Sequence, residues 1–173
     1  MTFSFEFKDT EILGVKVYTP SIFDDHRGAL WSSVTPELHK QLDVSYPFSH
    51  VKFVKNNKNV LRGIHGDYET WKLVTALNGI VQQVVVDNRP ESKTYQQSLS
   101  WLLDSSAPQA ILIPPGVGNA LKSLTDSLYM YSLAYPESYN DFDKQFTLQW
   151  DDPAFGIKWH GEAPILSLRD SKK

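Results

Sequence analysis

Short apolar runs rich in Val, Ile, Tyr and Phe alternate along the chain with clusters of Gly, Pro, Asn and Asp. Such runs are typical of β-strands, and the polar clusters between them are typical of turns. The predicted strands are Gly14–Thr19, Ala29–Val34, Ser49–Lys55, Trp71–Asn78, Gly79–Asp87, Gln96–Leu102, Ala110–Ile113, Ala120–Thr125 and Leu128–Ala134. Many short strands at this spacing favour a sandwich or barrel, and we expect an all-β jelly roll.

Two local patterns make sharper predictions. The Asn78-Gly79 pair stands between two apolar runs, and it predicts a hairpin because a type I′ turn needs positive φ at both central residues. The segment from Thr35 to Leu42 predicts one short helix, with Thr35 as N-cap and Pro36 at the first position.

The chain has 173 residues, of which 41% are apolar and 13% aromatic, which is enough for one packed domain over residues 1–173. Its formal net charge is −3, so no basic surface predicts binding to nucleic acid or to an anionic membrane. An anion site would have to be local, built from a few Arg and Lys side chains.

Several classes of site are excluded or disfavoured by residue type. Cysteine is absent, which excludes disulfides, thiolate metal sites and a cysteine nucleophile. None of the five histidines forms an H-x-H or H-x-x-x-H pair, so we expect no metal. The first eight residues do not predict a signal peptide, and prolines break the longest uncharged stretch, residues 105–121. We therefore expect a cytoplasmic protein.

The densest group of chemically capable residues is Val60–Asp67, followed closely by Lys72. In regular strand geometry Arg62 would face one side and His65 the other. A histidine and a lysine in one cavity suit proton removal next to a carbonyl, with imidazole as base and ammonium beside the enolate oxygen. A half-buried structural histidine near an exposed lysine would give the same pattern.

Two further groups are less specific. Alternation places Tyr129, Tyr131 and Tyr135 on one face of a strand, where one hydroxyl could act as general acid, although the residues alone favour an aromatic packing stripe. In the turn Asp24–Gly28, Arg27 could contact a phosphate, or it could simply be solvated.

Taken together, the chain resembles the cupin-class nucleotide-sugar epimerases, the family of the dTDP-4-keto-rhamnose 3,5-epimerases. The motifs that carry the resemblance occur in the family's order: Asp25-His26-Arg27-Gly28, Phe53-Val54-Lys55-Asn56-Asn57, Leu61-Arg62-Gly63-Ile64-His65, Lys72-Leu73-Val74, Val84–Arg89, Ile113-Pro114-Pro115-Gly116, Tyr131, Trp150-Asp151-Asp152-Pro153 and Pro164–Asp170. They cover nearly the whole chain.

The resemblance implies a cupin-type jelly-roll barrel with one or two short helices. It also implies a homodimer without metal or cofactor, acting on a nucleotide-linked 4-keto-6-deoxy sugar. By position, His65 would be the base that removes the proton next to the ketone, and Asp170 its hydrogen-bond partner. Lys72 would stabilise the enolate. Tyr131 would return a proton from the opposite face.

The remaining residues carried over by resemblance are substrate contacts. Arg27 and Arg62 would contact the diphosphate or the sugar, and Asn57 would be a polar contact in the same pocket. Asn119 is the fourth expected contact, although that position is often His in the family.

Other departures concern the substrate. Ser132 stands where Lys often follows the acid Tyr, and the loop from His65 to Lys72 is about three residues shorter than expected for the family. The stretch around this loop looks more like the branch acting on GDP-linked 4-keto heptoses. The nucleotide could be dTDP, GDP or CDP, and C3, C5 or both could be inverted.

Two alternatives to an epimerase stay open. One is a ketoisomerase that moves the carbonyl between C4 and C3 of the same substrates. The other is a barrel that binds sugar nucleotides without catalysis, which the changes at Asn119 and Ser132 would allow.

Overall fold

The computed structural model describes residues 4–136 and 144–172, and nearly all of its regular structure is β. The strands are β1 (Phe5–Asp9), β2 (Lys16–Pro20), β3 (Phe23–Asp25), β4 (Gly28–Leu30), β5 (His50–Asn56), β6 (Leu61–Gly66), β7 (Trp71–Asn78), β8 (Ile80–Asp87), β9 (Ser98–Asp104), β10 (Ala110–Ile113), β11 (Val117–Ser123), β12 (Ser127–Ala134) and β13 (Phe146–Thr147). One helix, α1 (Pro36–Gln41), and one 3-10 turn, Pro153–Phe155, complete the elements. The predicted all-β fold is confirmed.

Two antiparallel sheets form a sandwich. The six-stranded sheet has the order β1-β2-β10-β7-β12-β5, and the five-stranded sheet has the order β13-β6-β11-β8-β9. A separate hairpin, β3-β4, forms a two-stranded sheet of its own. Sequential strands cross between the two large sheets, as expected for a jelly roll.

The main core lies between the two large sheets. Val74 of β7 and Ile111 of β10 pack there against Val81 and Val85 of β8. Because side chains alternate along a strand, residues two positions apart share this inner face. The inner face therefore includes Lys72 with Val74, Gln83 with Val85, and Tyr131 with Tyr129.

Other segments cover the outer faces of the central strands, which explains why these strands are buried on both sides. Helix α1 packs Leu38 against Leu73 and Leu112 of the six-stranded sheet. The helix begins as predicted, because the Thr35 hydroxyl accepts a hydrogen bond from the Leu38 N–H at 3.1 Å. The segment after β13 covers the five-stranded sheet, where Trp159 packs among the buried residues.

The Asn78-Gly79 pair makes a turn but not a hairpin, so that prediction was wrong. Gly79 has the expected positive φ of 78°. However, β7 belongs to the six-stranded sheet and β8 to the five-stranded sheet, so the turn carries the chain from one layer to the other. A local turn signal does not determine which strands pair.

Other strands also differ from the prediction. Within the predicted strand Ala29–Val34, only the first two residues are in β4. Strands β1, β3, β6 and β13 were not among the predicted strands.

Strand β6 carries a bulge that changes which side chains share a face. His65 lies opposite Asn119 and Arg62 lies opposite Leu121, so three steps along β6 match two along β11. The extra residue lies at Gly63, whose φ of 128° favours glycine; a Cβ there would lie 2.7 Å from the Ala120 Cα. The bulge brings Arg62 and His65 to one side, against the prediction from regular alternation.

Among residues 4–136 and 144–172, none of the helices has the length and apolar character needed to cross a membrane.

Candidate active site

A cavity of about 330 Å³ opens between the two large sheets. It is lined by Lys52, Val54, Arg62, His65, Lys72, Asn119, Tyr131, Leu133, Gln145, Ser167, Arg169 and Asp170. The six-stranded sheet supplies the lysines and Tyr131, and the five-stranded sheet supplies Arg62, His65 and Asn119. Six of the eight predicted site residues therefore lie together.

His65 and Asp170 form a hydrogen-bonded pair at the cavity wall. The His65 Nε2 lies 2.7 Å from the Asp170 Oδ1, and the carboxylate is almost completely buried. Burial alone would raise the pKa of Asp170, but hydrogen bonds from His65 and Ser167 and the charge of Arg169 lower it below its usual value. An ionised carboxylate requires the proton on Nε2, which leaves the lone pair on Nδ1 as the basic atom.

Lys72 is a buried ammonium on the inner face of β7. Its Nζ lies 3.7 Å from the Asp67 Oδ2, and both side chains are almost fully buried. The Asp67 Oδ1 accepts hydrogen bonds from the backbone N–H groups of Glu69 and Thr70. Burial lowers the pKa of Lys72, and the nearby Asp67 opposes that shift.

Of the three tyrosines on or next to β12, only Tyr131 lines the cavity. Tyr129 lies deeper on the same face, where its hydroxyl donates to Gln83 and its ring meets the Tyr131 ring edge-on at 4.8 Å. Tyr135 follows the end of the strand and contacts His50. The structure therefore selects Tyr131 as the phenol that a ligand in the cavity could reach.

The cavity is positively charged although the whole protein is not. Four cationic side chains line it, and Asp170 is its one lining carboxylate among the described residues. The Arg62 Nε donates to the Asn56 Oδ1 at 2.7 Å, and the Arg169 guanidinium donates to Thr147 and Gln145. Neutral partners orient these guanidinium groups without neutralising them, which suits an anionic ligand.

Lys52 and Lys72 reinforce this positive charge from one sheet. Burial, together with the charge of Lys72, lowers the pKa of Lys52. In the six-stranded sheet Lys52 pairs with Tyr131, so an ammonium and the phenol stand on adjacent strands.

Two predicted substrate contacts lie outside this cavity. Arg27 lies at the tip of the β3-β4 hairpin, where it is largely exposed and pairs with Asp25 at 2.5 Å. Asn57 follows the end of β5 and is exposed, whereas its neighbour Asn56 is buried and holds Arg62. On β5 the side chains of Lys52 and Val54 line the cavity, so alternation turns Asn56 inward and leaves Asn57 on the opposite side.

Sequence reasoning missed four polar lining residues: Lys52, Gln145, Ser167 and Arg169. One signal was available for Lys52. On β5 the outward residues Val51 and Phe53 are apolar and exposed, while the inward-facing side carries a lysine. That reversed pattern indicates a polar interior. Arg169 stands beside Asp170 in the motif already singled out.

The geometry suits proton transfer on a carbon acid. The imidazole and the phenol come from opposing sheets, so a flat ligand between them has one group on each face. A buried ammonium beside the ligand can stabilise negative charge on an oxygen. Within the described ranges, no three His, Asp or Glu side chains cluster as a metal site requires.

Comparisons with known proteins identify related chains. Residues 9–173 match the family described as dTDP-4-dehydrorhamnose 3,5-epimerase. The Escherichia coli K12 enzyme of that name is 31% identical over 170 residues, covering 94% of this chain and 90% of the relative. The dTDP-6-deoxy-D-glucose-3,5-epimerase RmlC of Legionella pneumophila, solved with dTDP-4-keto-L-rhamnose, superposes with a TM-score of 0.90 at 28% identity. The superposition covers 97% of this chain and 90% of the Legionella chain.

A third similar protein bears on the chemistry. It is the 3'-monoepimerase ChmJ from Streptomyces bikiniensis, solved with dTDP as a double mutant in which one His is replaced by Asn and one Tyr by Phe. It superposes with a TM-score of 0.86 at 27% identity, covering 94% of this chain and 83% of its own.

Proposed function

Because the chain belongs to the dTDP-4-dehydrorhamnose 3,5-epimerase family, we propose that its cavity inverts a carbon next to the ketone of a dTDP-linked 4-keto-6-deoxy sugar. The chain is an isomerase of the epimerase class, with the cupin-like fold of its structural relatives. The observation that carries the proposal is the placement of His65 and Tyr131, which face one cavity from opposing sheets. Inversion needs two such groups, since one group working from one face restores the original configuration.

In the first step His65 removes the proton from the carbon next to the ketone. The C–H bond breaks, its electron pair moves to the C4 oxygen as an enolate, and the proton goes to Nδ1. The ionised Asp170 stabilises the imidazolium that results. Lys72 faces the same cavity, and its ammonium stabilises the enolate oxygen.

In the second step Tyr131 returns a proton to the opposite face of the same carbon. The enolate pair moves back to carbon and the C4 ketone re-forms, so the product differs from the substrate only in configuration. The phenolate that results lies one strand away from Lys52, whose charge favours it. Proton exchange with water then resets both groups.

The cationic part of the lining holds the diphosphate. Arg62 and Arg169 present guanidinium groups whose hydrogen bonds within the described residues go to neutral side chains, and guanidinium reads phosphate bidentately. This placement leaves Lys72 for the sugar oxygen. Arg62 lies on the same strand and side as His65, so phosphate binding sets the sugar against the base.

The nucleotide is proposed to be dTDP, since the related structures contain dTDP or dTDP-linked sugars. GDP-linked sugars are the competing substrates on the resemblance of the His65–Lys72 loop, and CDP-linked sugars are a third class to compare. The relatives include a 3,5-epimerase and a 3'-monoepimerase, so C3 is the carbon common to both.

We also propose that two copies of the chain associate through strand β5. This strand is an edge of the six-stranded sheet, and its outward residues Val51 and Phe53 are exposed and apolar. Burying them would remove apolar surface from water. Sedimentation should find a dimer that Phe53→Glu converts to monomer, and a monomeric wild type would refute this contact.

The function is tested by incubating the protein with dTDP-, GDP- and CDP-linked 4-keto-6-deoxy sugars in D2O. Proton NMR should show deuterium entering C3, with or without C5, of the dTDP substrate first, together with the inverted epimer. Movement of the carbonyl to C3 would identify a ketoisomerase instead. Binding of the dTDP sugar without any exchange would refute an enzymatic role.

A further inference from the structure

A buried chain of three hydrogen-bonded side chains runs from the apolar core to the cavity. The Tyr129 hydroxyl donates to the Gln83 Oε1, and the Gln83 Nε2 donates to the Asn119 Oδ1 at 2.5 Å. Tyr129 and Gln83 are completely buried, whereas Asn119 lines the cavity. The proposed roles of Tyr131 as acid and His65 as base do not depend on any of these contacts.

The direction of these hydrogen bonds is determined by a backbone carbonyl. The Gln83 Nε2 also lies 3.0 Å from the Val84 oxygen, which can only accept. The nitrogen of Gln83 must therefore stand on this side, and its oxygen must face Tyr129. Since that same nitrogen donates to Asn119, the Asn119 atom beside it must be the oxygen.

The opposite end of the Asn119 amide is consequently a donor. Across residues 4–136 and 144–172, the structure gives the Asn119 Nδ2 no acceptor, and its side chain borders the cavity. The Asn119 Nδ2 is not one of the fully buried polar atoms that lack a partner, so it is accessible from the cavity, where a ligand oxygen can accept a hydrogen bond from it. Asn119 also lies directly opposite His65 in the β6-β11 pairing.

Tyr129, at the buried end of the hydrogen-bonded series, keeps these donor and acceptor directions over a wide pH range. Burial, followed by the influence of Tyr131, raises the pKa of Tyr129 well above its ordinary value. The phenol therefore stays protonated and continues to donate to Gln83. All three side chains are neutral, so their role is to orient a dipole and not to move a charge.

We propose that the Asn119 Nδ2 donates a hydrogen bond to the C4 oxygen of the substrate, and that Gln83 and Tyr129 hold Asn119 in that orientation. This inference rests on the proposed function. Asn119 then touches the reacting atoms beside Lys72, while Gln83 and Tyr129 are positioning residues. Because charge develops on the C4 oxygen as the proton leaves for His65, the hydrogen bond strengthens in the transition state.

The test measures kcat and KM with the dTDP-linked 4-keto substrate, together with dTDP affinity. Asn119→Ala should lower kcat about 100-fold, with KM and dTDP affinity within about threefold, as for the loss of one oxyanion donor. Gln83→Met should lower kcat about tenfold, because the Asn119 amide can then rotate and present its oxygen to the substrate. Tyr129→Phe should give a smaller loss in the same direction.

The decisive arm is the combination of Gln83→Met with Asn119→Ala. If Gln83 acts only through Asn119, the double variant should be no more than about twofold slower than Asn119→Ala alone. The matched control is Gln82→Met, which removes an equally buried, hydrogen-bonded glutamine from the outer face of the same strand. It should lower the melting temperature while leaving kcat unchanged.

Several results would overturn the inference. One is an unchanged kcat in Asn119→Ala, and another is a rise in KM alone, which would assign the donor to a hydroxyl or phosphate. Full additivity of Gln83→Met with Asn119→Ala would mean that Gln83 acts independently. If Gln83→Met does not fold, Tyr129→Phe takes its place in the cycle. Wild-type turnover in the same assay establishes the proposed function separately, and its absence would count against that function.

Discussion

The replacement Asp170→Asn removes one negative charge and leaves the shape of the side chain almost unchanged. In the wild type the carboxylate accepts from His65 at 2.7 Å and from the Ser167 hydroxyl at 2.8 Å. The introduced amide can still accept from His65 through its oxygen and can donate to Ser167 through its nitrogen. The fold should therefore tolerate the change, and the loss should fall on the imidazolium that forms during turnover.

The size of that loss follows from the kind of hydrogen bond that is replaced. A hydrogen bond between charged groups contributes about 1.5–3 kcal/mol, compared with about 0.5–1.5 kcal/mol between neutral groups. The pair also loses its direct attraction, which partial exposure of the His65 ring to solvent reduces. Together we expect the barrier to rise by about 1.5–3 kcal/mol, or about 10- to 150-fold in kcat.

The assay is deuterium entry into the 4-keto sugar, followed by NMR at saturating substrate. KM should stay within about threefold, since Asp170 acts through His65. Because the pKa of Asp170 lies below its usual value, the carboxylate is ionised at pH 7, where the two proteins are compared. The control is Asp9→Asn, which removes an exposed carboxylate paired with Lys16. A loss below about threefold in a folded Asp170→Asn protein would refute the reasoning.

Three further predictions concern stability and binding. Burial alone would raise the pKa of Asp87, but hydrogen bonds from neighbouring side chains lower it to about 2. Asp87→Asn should therefore cost about 2 kcal/mol of unfolding free energy at pH 7, and in urea titrations this difference should shrink as the pH falls from about 4 to about 2. Gly66→Ala should destabilise by about 1–3 kcal/mol in the same titrations, because the added Cβ meets the Phe146 ring; an unchanged midpoint would contradict this. Asn56→Ala should weaken dTDP binding about 5- to 20-fold in calorimetry with kcat nearly unchanged, because Arg62 loses its 2.7 Å anchor; equal affinity would separate Arg62 from the diphosphate.

Much of the fold was predictable because its strands carry strong local signals. The apolar runs at β7, β8 and β12 and the Thr35-Pro36 helix start each depend on nearby residues, and the structure has them at about the expected positions. Strand pairing is different, since it depends on distant segments. The Asn78-Gly79 turn looked like a hairpin locally, but each flanking strand finds its partners elsewhere.

The site was predictable where a motif carried it and less so where geometry decided. His65 and Asp170 are 105 positions apart, so their spacing does not predict a contact. Their hydrogen bond was predicted from the resemblance to the epimerase family. Regular alternation misplaced Arg62 relative to His65, because the bulge at Gly63 adds one residue to β6. Lys52 was missed because a single lysine in a strand is ordinarily read as solvent-facing.

The central claim is that His65 and Tyr131 act on opposite faces of one sugar ring. The most direct measurement follows, in D2O, both deuterium entry at C3 or C5 and formation of the epimer. His65→Asn should abolish both signals. Tyr131→Phe should still admit deuterium, returned by His65 with the original configuration, while epimer formation falls at least about 100-fold. Normal epimer formation in Tyr131→Phe, or continued deuterium entry in His65→Asn, would contradict the account.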